Sequence, residues 1–287
     1  MLKLLFNLFL SSFLFACAHQ VQTTANQDAQ KLGKIIDLKT QQPISLTELI
    51  NRLSQYPHIL IGEQHDEPVH QQNERYLIEQ INQRKPVKNV ILEMLSLNQQ
   101  DTINKVQQQI KQHNLSESAI SQEIGWKNWD WNTYKELIIN LLHSPIHLTA
   151  ANLNDNEIKT IMFGAVPLKG FYSTELAIKE KIGELIMNQH DLSCAEDCRK
   201  IIKMVEVQQF RDRRMAEKLK KSAPISILVA GNNHVRKDIG VPIHLMDYYL
   251  EPEGKQTPNS HSVSLMMKSD NNEPVTIHQA DFLWITH

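Results

Sequence analysis

The chain lacks several features that would have pointed to a simple functional class. Its 30 basic and 32 acidic side chains leave a formal net charge of −2, so no overall positive field attracts nucleic acid. Three cysteines are too few to suggest a metal site built from cysteine ligands. No segment repeats at the period of a solenoid protein, and the apolar run at residues 4–16 is too short to cross a bilayer comfortably. The composition of the whole chain, 41% hydrophobic and 22% charged, is typical of a globular protein.

The amino-terminal residues have the pattern of a secretory signal. A basic residue precedes the apolar run at 4–16, which ends in a small side chain. The sequence LFAC at 14–17 resembles a bacterial lipobox and makes Cys17 the expected site of lipid attachment; the alternative is ordinary cleavage that leaves Cys17 a free thiol. Ala18 after the cysteine resembles lipoproteins sorted to the outer membrane. We therefore expect residues 1–17 to be a lipoprotein signal, and the mature chain to be lipid-anchored in a bacterial envelope, facing the periplasm.

The mature chain divides into a short tether and one domain. Residues 18–33 are polar and lack periodicity, which is typical of a flexible linker. Residues 34–287 are expected to form a single α/β domain, a size compatible with one large hydrophobic core.

Two cysteines remain if Cys17 is lipidated. Cys194 and Cys198 are separated by one helical turn. In an exported protein an even pair of cysteines fits a disulfide, here a local structural link. A redox-active pair is the alternative.

Short apolar runs alternate with longer helical segments along the domain. Strands are predicted at 58–61, 89–95, 146–154 and 225–231, an antiparallel closing pair at 262–268 and 281–286, and helices at 68–82, 98–113, 129–143, 155–163, 173–190 and 196–221. This alternation predicts an α/β fold with a mostly parallel open sheet and helices on both faces. The strand-poor stretch at about 160–222 is expected to form a helical cap or subdomain.

Two of the predicted strands end in the same polar pattern. GEQH at 62–65 and GNNH at 231–234 each place a histidine three residues after a glycine. Ligands of parallel sheets bind outside the carboxyl ends of the strands, so His65 and His234 are expected to meet at one edge. Glu63 and Glu93 belong to the same group. The alternative is a pair of hydrogen-bonded turn histidines.

Histidine and carboxylate side chains at one edge indicate metal binding or acid/base chemistry. His65, His234, Glu63 and Glu93 are candidate ligands of a divalent metal, and the two glutamates are also candidate catalytic residues. Glu93 interrupts an apolar strand, where an ionised carboxylate is costly unless it is paired. The candidate partners are the arginines Arg236, Arg211 and Arg213. A structural ion pair and a catalytic carboxylate remain alternative roles for Glu93.

The polar strand ends belong to a longer series of segments. In order these are LIGEQHD (60–66), ILEML (91–95), GWKNWDWNTY (125–134), AANLN (150–154), EVQQFRDRRMAEKL (206–219) and AGNNHVRKDIGVPIHL (230–245). Together they resemble the ChaN-like family of haem-binding lipoproteins, within a superfamily that includes Tiki, TraB and erythromycin-esterase-like proteins. The resemblance implies that Glu63, His65, Glu93, His234 and Arg236 occupy the superfamily's ancestral site.

The resemblance also implies a function and an assembly. It predicts a haem-binding lipoprotein that assists haem or iron uptake or storage, a homodimer linked by haem at the subunit interface, and an outer-membrane haem receptor as a possible partner. Within the superfamily, the alternative is a metal-dependent hydrolase, peptidase or esterase-like, that uses the paired G-x-x-H motifs.

In the family resembled, tyrosine ligates the haem iron and histidine assists, because a hard phenolate suits ferric iron. Tyr172 is the preferred candidate here, since it precedes a helix in the strand-poor middle segment. Tyr134 is the other candidate, with core packing as its alternative role. His190 and His147 are candidate assisting residues, with surface or turn histidines as the alternative.

Overall fold

The computed structural model describes residues 33–111, 115–249, 261–270 and 273–286. The predicted signal at residues 1–17, the lipidation of Cys17 and all but the last residue of the predicted tether lie outside the described residues. In the part that is described, no helix has the length and apolar character needed to cross a membrane.

The described residues form an eight-stranded sheet. Its strands are β1 (Lys34–Asp37), β2 (Gln42–Pro43), β3 (His58–Glu63), β4 (Asn89–Ser96), β5 (His147–Asn152), β6 (Ser226–Gly231), β7 (Ser262–Lys268) and β8 (Phe282–Ile285). They lie in the order β2-β1-β8-β7-β3-β6-β4-β5. The strands from β8 to β5 run parallel, and β1 and β2 are added antiparallel at one edge. The predicted mostly parallel sheet is confirmed.

Helices cover both faces of this sheet. They are α1 (Leu46–Leu53), α2 (Pro68–Arg84), α3 (Gln100–Ile110), α4 (Glu117–Glu123), α5 (Trp131–His143), α6 (Asp155–Phe163), α7 (Leu176–His190), α8 (Cys194–Lys221), α9 (Asn232–Val235) and α10 (Val241–Tyr248), with a 3-10 turn at Leu97–Gln99. Along β3, Ile59 and Ile61 pack into one core with α1, α2 and α5, and Leu60 packs into the other with α8 and α10. Burial on both faces explains why β3, β4 and β6 are continuous apolar runs rather than alternating ones.

The closing strands differ from the prediction in their direction. We expected 262–268 and 281–286 to pair antiparallel, but β7 and β8 are parallel, with Leu265 opposite Phe282. An apolar run does not encode strand direction, and the connection at 269–281 is long enough for a parallel crossover. The antiparallel neighbour of β8 is β1, which the sequence pattern did not reveal.

Helix α8 joins the sheet to a helical cap. Its carboxyl-terminal half packs on the sheet through Met215, Ala216 and Leu219. Its amino-terminal half packs against α7 through Ile201 and Val205, while α6 also contacts α8. We call α6, α7 and the first half of α8 the cap. A disulfide links Cys194 to Cys198 in the first turn of α8, with their Cα atoms 4.1 Å apart.

Candidate functional site

A cavity of about 800 Å³ lies between the carboxyl ends of the strands and the cap. Glu63 and Gly231 are register partners on the adjacent strands β3 and β6, so the two G-x-x-H motifs open onto the same space. The floor carries Glu63, His65, Glu93 and His234, and the apolar lining comes from Trp129, Ile158, Met162, Ile186, Met204 and Val207. We call this space the strand-end cavity. It combines a charged floor with apolar walls.

The glycine of the second motif allows the two motifs to approach closely. A Cβ atom at Gly231 would lie 2.8 Å from Nε2 of His65 and 2.9 Å from its Cε1. No other residue fits there without displacing the His65 ring. The sequence pattern of glycine followed by histidine is therefore explained by backbone approach as well as by the turn.

His65 is oriented by a carboxylate beneath it. Its Nδ1 lies 2.7 Å from Oε1 of Glu63, which also accepts a 2.6 Å hydrogen bond from the hydroxyl of Tyr134. The His65 ring meets Trp129 edge-on, with 4.5 Å between ring centroids. Burial lowers the pKa of His65, but the hydrogen bond to Glu63 and the charge of Glu93 outweigh burial, and the net shift is upward. The ring is therefore held in place on the cavity floor and is suited to proton transfer.

Glu63 has a second layer of support from α2. Gln71 donates a hydrogen bond to Oε2 of Glu63. Glu74, one helical turn further on, is fully buried beside it. Burial first, and then the charge of Glu63, raise the pKa of Glu74 well above its usual value. Burial therefore favours the protonated, uncharged form of Glu74.

His234 lies between two buried carboxylates. Its Nε2 is 3.0 Å from Oε1 of Glu93, and its Nδ1 is 2.6 Å from Oδ1 of Asp212 on α8. The other oxygen of Glu93 accepts the N–H of Gly231 at 2.8 Å. All three side chains are at least nine-tenths buried. We call Glu93, His234 and Asp212 the buried triad.

The pKa values within the triad follow from this arrangement. Burial lowers the pKa of His234, but the charges of Glu93 and Asp212 raise it to about 10. Burial raises the pKa of Glu93, but His234 lowers it to about 2. Burial dominates at Asp212, where the pKa rises to about 6 despite His234. At neutral pH the triad is therefore an imidazolium held by two carboxylates.

The partner of Glu93 is thus His234 and not one of the predicted arginines. Arg236 instead donates to Asp238, at 2.9 and 2.8 Å. Arg213 forms an ion pair with Asp247, and Arg211 lines the cavity. The short helix α9 turns the chain back at the end of β6, and this brings His234, rather than the later Arg236, to Glu93.

The buried triad bears on the predicted metal site. Both ring nitrogens of His234 are already engaged by carboxylates. Among the described residues, no group of three or more His, Cys, Asp and Glu side chains is arranged to hold a metal ion. A metal bound through His234 would have to break one of its ion pairs. The divalent metal expected at His65, His234, Glu63 and Glu93 therefore has no support from this arrangement.

The predicted haem residues lie in different places. Tyr134 is buried and donates to Glu63; burial and the charge of Glu63 raise its pKa well above the usual range, so it resists becoming a phenolate. His190, at the end of α7, is exposed and lines the strand-end cavity. His147 is exposed at the start of β5, at the opposite end of the sheet from the cavity.

Tyr172 lies in the connection between α6 and α7, which carries several exposed apolar side chains. It is half-buried, it does not line the strand-end cavity, and its ring meets that of Phe171 edge-on, with 4.8 Å between centroids. The neighbouring apolar side chains are exposed: Met162 by 38%, Phe163 by 92%, Val166 by 78%, Phe171 by 65% and Leu176 by 70%. We call residues 162–176 the apolar segment. Five exposed apolar side chains within 15 residues of sequence are typical of a segment that binds a ligand or a partner.

Several residues of the site were not predicted from the sequence. Asp212 belongs to the segment EVQQFRDRRMAEKL, but its pairing with His234 depends on the angle at which α8 crosses the sheet. Gln71 and Glu74 are three residues apart on α2, and this spacing would have placed them on one helix face. Trp129 lies next to the Tyr134 helix, where the cluster of tryptophans gave the only signal.

Comparisons with known proteins identify the fold and a family. The family described as "Haem-binding uptake, Tiki superfamily, ChaN" matches residues 49–245. A Campylobacter jejuni ChaN structure, described as cofacial haem binding, has a TM-score of 0.79 and 28% identity, over 90% of this chain and 98% of that one. An erythromycin esterase mutant, EreC, in its open conformation gives 0.46 and 11%, over 82% and 76%. The type III effector HopBA1 gives 0.41 and 10%, over 83% and 91%. No curated protein sequence matches the chain.

Proposed function

The chain belongs to the haem-binding uptake family of the Tiki superfamily, and from this premise we propose that it binds haem. The observation that carries the proposal is the likeness to the Campylobacter jejuni ChaN structure, whose printed description is cofacial haem binding. That likeness extends over 90% of this chain at 28% identity. It therefore includes both the sheet and the helical cap.

The proposal includes a place for the protein in the cell. The lipobox-like sequence at 14–17 supports a lipid anchor at Cys17, and we propose that the protein serves haem or iron uptake or storage at the bacterial envelope, facing the periplasm. An outer-membrane haem receptor is the partner proposed for delivery.

The apolar segment has the chemistry that a porphyrin requires. The two faces of haem are flat and apolar, and they are matched by exposed side chains such as Phe163 and Phe171. Tyr172 lies within this segment and offers a phenol that, once deprotonated, is a hard ligand for ferric iron. We therefore propose Tyr172 as the iron ligand. Tyr134 is less suited to this role, because its buried hydroxyl donates to Glu63 and would have to leave that hydrogen bond to bind iron.

The distance between Tyr172 and His190 favours a dimer. Tyr172 precedes α7 and His190 ends it, and the 15 residues of α7 span about 22 Å at 1.5 Å per residue. The two side chains of one subunit therefore cannot both reach a single iron. If His190 assists, it does so at the haem of a second subunit, which agrees with the proposed haem-linked homodimer.

Titration with haemin tests the proposed function directly. We expect a red-shifted Soret band that saturates at a fixed ratio of haem to protein, together with a shift from monomer to dimer in sizing chromatography. A porphyrin that only adheres to exposed apolar side chains would instead give a spectral change without saturation. That result would overturn the proposal.

The strand-end cavity favours a second candidate function, metal-independent hydrolysis. His65 is oriented through Nδ1 by Glu63, and its Nε2 lies beside Gly231 in a cavity large enough for a small organic molecule. In that position His65 would act as the general base towards a water molecule, and Glu63 would orient it and stabilise the imidazolium. The geometry thus favours acid/base chemistry at His65 over the metal-dependent hydrolysis that was the alternative function from the sequence.

A panel of ester and peptide substrates tests this second candidate. We expect any turnover to be insensitive to chelators and to fall by about 100-fold or more in His65→Asn, while haem binding is unchanged. Turnover that persists in His65→Asn would contradict the role given to His65. A complete lack of turnover in the wild-type protein would leave haem binding as the function of the chain.

A further inference from the structure

One buried carboxylate holds the backbone on both sides of Tyr172. Oδ1 of Asp247, on α10, accepts hydrogen bonds from the N–H groups of Phe171 at 3.0 Å and Tyr172 at 2.7 Å, and a longer one of 3.4 Å from Ser173. Its Oδ2 accepts the hydroxyl of Ser173 at 2.6 Å. The side chain of Asp247 is only 4% exposed. Three successive N–H groups on one oxygen fix the course of this turn.

Two side chains of α8 complete the attachment. Arg213 forms an ion pair with Oδ2 of Asp247 and donates to Oγ of Ser173 at 3.0 Å and to Nδ1 of His244 at 3.1 Å. Burial first, and then the charge of Arg213, lower the pKa of His244 to about 3, so His244 is a neutral acceptor. Gln209 donates to the carbonyl of Ser173 at 2.7 Å. We call Asp247, Arg213 and Gln209 the turn clamp.

The turn clamp leaves space only for a glycine at the start of the turn. A Cβ atom at Gly170 would collide with Asp247, Ser173 and Arg213. Thr174 closes the turn, because its hydroxyl donates to the carbonyl of Gly170 at 2.7 Å. The turn is therefore attached through its backbone and its small residues, and the ring of Phe171 stays largely exposed.

The turn that the clamp fixes carries an exposed aromatic ring, that of Phe171. Phe171 is 65% exposed although its backbone N–H is held by a buried charge. Burying a carboxylate and a guanidinium is costly unless each is fully hydrogen-bonded. A rigid backbone under an exposed phenylalanine brings no packing gain to the isolated chain. Rigidity of this kind does strengthen binding, because a preorganised surface loses less freedom when a ligand arrives.

We propose that Phe171 and Tyr172 form a preorganised seat for a porphyrin, in which Phe171 contacts the macrocycle and Asp247 is a positioning residue. The inference rests on the proposed haem binding and extends it to two further residues. The two ring planes are 81° apart, with 4.8 Å between centroids. A porphyrin that stacked on Phe171 would therefore lie beside the phenol of Tyr172, which would supply an oxygen ligand to ferric iron. Asp247 keeps this relation by holding both backbone N–H groups.

Haemin titration of two variants, with the ferric spectrum recorded at saturation, tests the seat. Phe171→Ala should weaken haemin binding about tenfold, since stacked aromatic contacts are worth about that much, and it should leave the thermal unfolding midpoint unchanged because the ring is exposed. Phe171→Tyr, which keeps an aromatic ring at this position, should bind haemin as tightly as the wild type. Asp247→Asn keeps an acceptor for the N–H groups but loses the charge that pairs with Arg213. It should weaken binding about tenfold and shift the charge-transfer band of the ferric complex.

Tyr76→Ala is the matched control, because Tyr76 is an aromatic residue 42% exposed on α2, outside the apolar segment. It should bind haemin as the wild type does. If wild type binds haemin but Phe171→Ala binds equally tightly with an unchanged ferric spectrum, the seat is wrong and haem binding stands. If wild type shows no saturable binding, the proposed function and the seat both fail. Because Phe171→Ala does not disturb the turn clamp, any misfolding of Asp247→Asn leaves the test decisive.

Discussion

Replacing His234 by Gln should remove about 3–5 kcal/mol from the free energy of unfolding at neutral pH, a large share of the stability of a single domain. The variant leaves Glu93 and Asp212 buried without their shared cation. Water cannot take the place of the lost imidazolium, since both carboxylates are at least nine-tenths buried. Denaturant unfolding followed by circular dichroism measures the loss.

The same variant should change how stability depends on pH. His234 has a pKa of about 10 in the folded protein and about 6.5 when unfolded, so the folded state binds more protons between these values. Its contribution is complete below about pH 6.5 and is lost as the pH rises towards 10. The pKa of Glu93 is lowered from 4.5 to about 2, so its contribution is complete above about pH 4.5 and is lost as the pH falls to 2. Wild-type stability should therefore decline from pH 6.5 to 10, and His234→Gln should decline much less.

His58→Gln is the matched control for this experiment. His58 is also a buried strand histidine, but burial lowers its pKa to about 4, so it is neutral at pH 7. Its Nδ1 lies 2.8 Å from Oγ of Ser226. Losing such a neutral hydrogen bond should cost about 1 kcal/mol and leave the slope between pH 6.5 and 10 intact. If His234→Gln and wild type give parallel profiles in that window, the triad does not carry the charge described here.

The buried triad also marks how far the sequence predicts the site. The carboxyl ends of parallel strands meet at one edge of the sheet, so the meeting of Glu63, His65, Glu93 and His234 follows from local patterns alone. The partner of Glu93 does not follow in the same way. Asp212 precedes His234 by 22 residues, and the two lie on different elements. Only the packing of α8 across the sheet brings them together. Long-range pairing of charges is decided by helix placement, which local patterns do not encode.

The fold also has features that local sequence patterns predict and features that they do not. Buried parallel strands such as β3 and β6 are recognisable because they are apolar on both faces. The strands β1 and β2, of four and two residues, are too short to show an apolar run. The parallel pairing of β7 with β8 depends on the path of the connection between them. The turn clamp was equally hidden, since Asp247 lies 75 residues from Tyr172 and just outside the segment 230–245 that carried the resemblance. Features that depend on one residue meeting a distant backbone are the ones that sequence patterns miss.

Replacing Tyr172 by Phe should weaken ferric haem binding on the order of 100-fold, which corresponds to about 2.7 kcal/mol. The change removes one oxygen and keeps the ring, so the apolar contacts and the edge-on packing with Phe171 are retained. A phenolate is a hard ligand that favours ferric over ferrous iron. We therefore expect the tyrosinate charge-transfer band to vanish and the midpoint potential of the bound haem to rise. Haemin titration and spectroelectrochemistry measure the two effects.

Tyr134→Phe provides the opposite expectation from the same chemical change. Its hydroxyl donates at 2.6 Å to Oε1 of Glu63, a residue that lines the strand-end cavity. Its loss should cost about 1 kcal/mol of stability and leave the haem spectrum unaltered. The pair of variants distinguishes the two tyrosines that the sequence offered as candidate haem ligands. If Tyr134→Phe abolishes the charge-transfer band and Tyr172→Phe does not, haem lies in the strand-end cavity and the apolar segment has another role. If only Tyr172→Phe does so, haem binds at the apolar segment and the charged cavity floor is free for a separate chemistry.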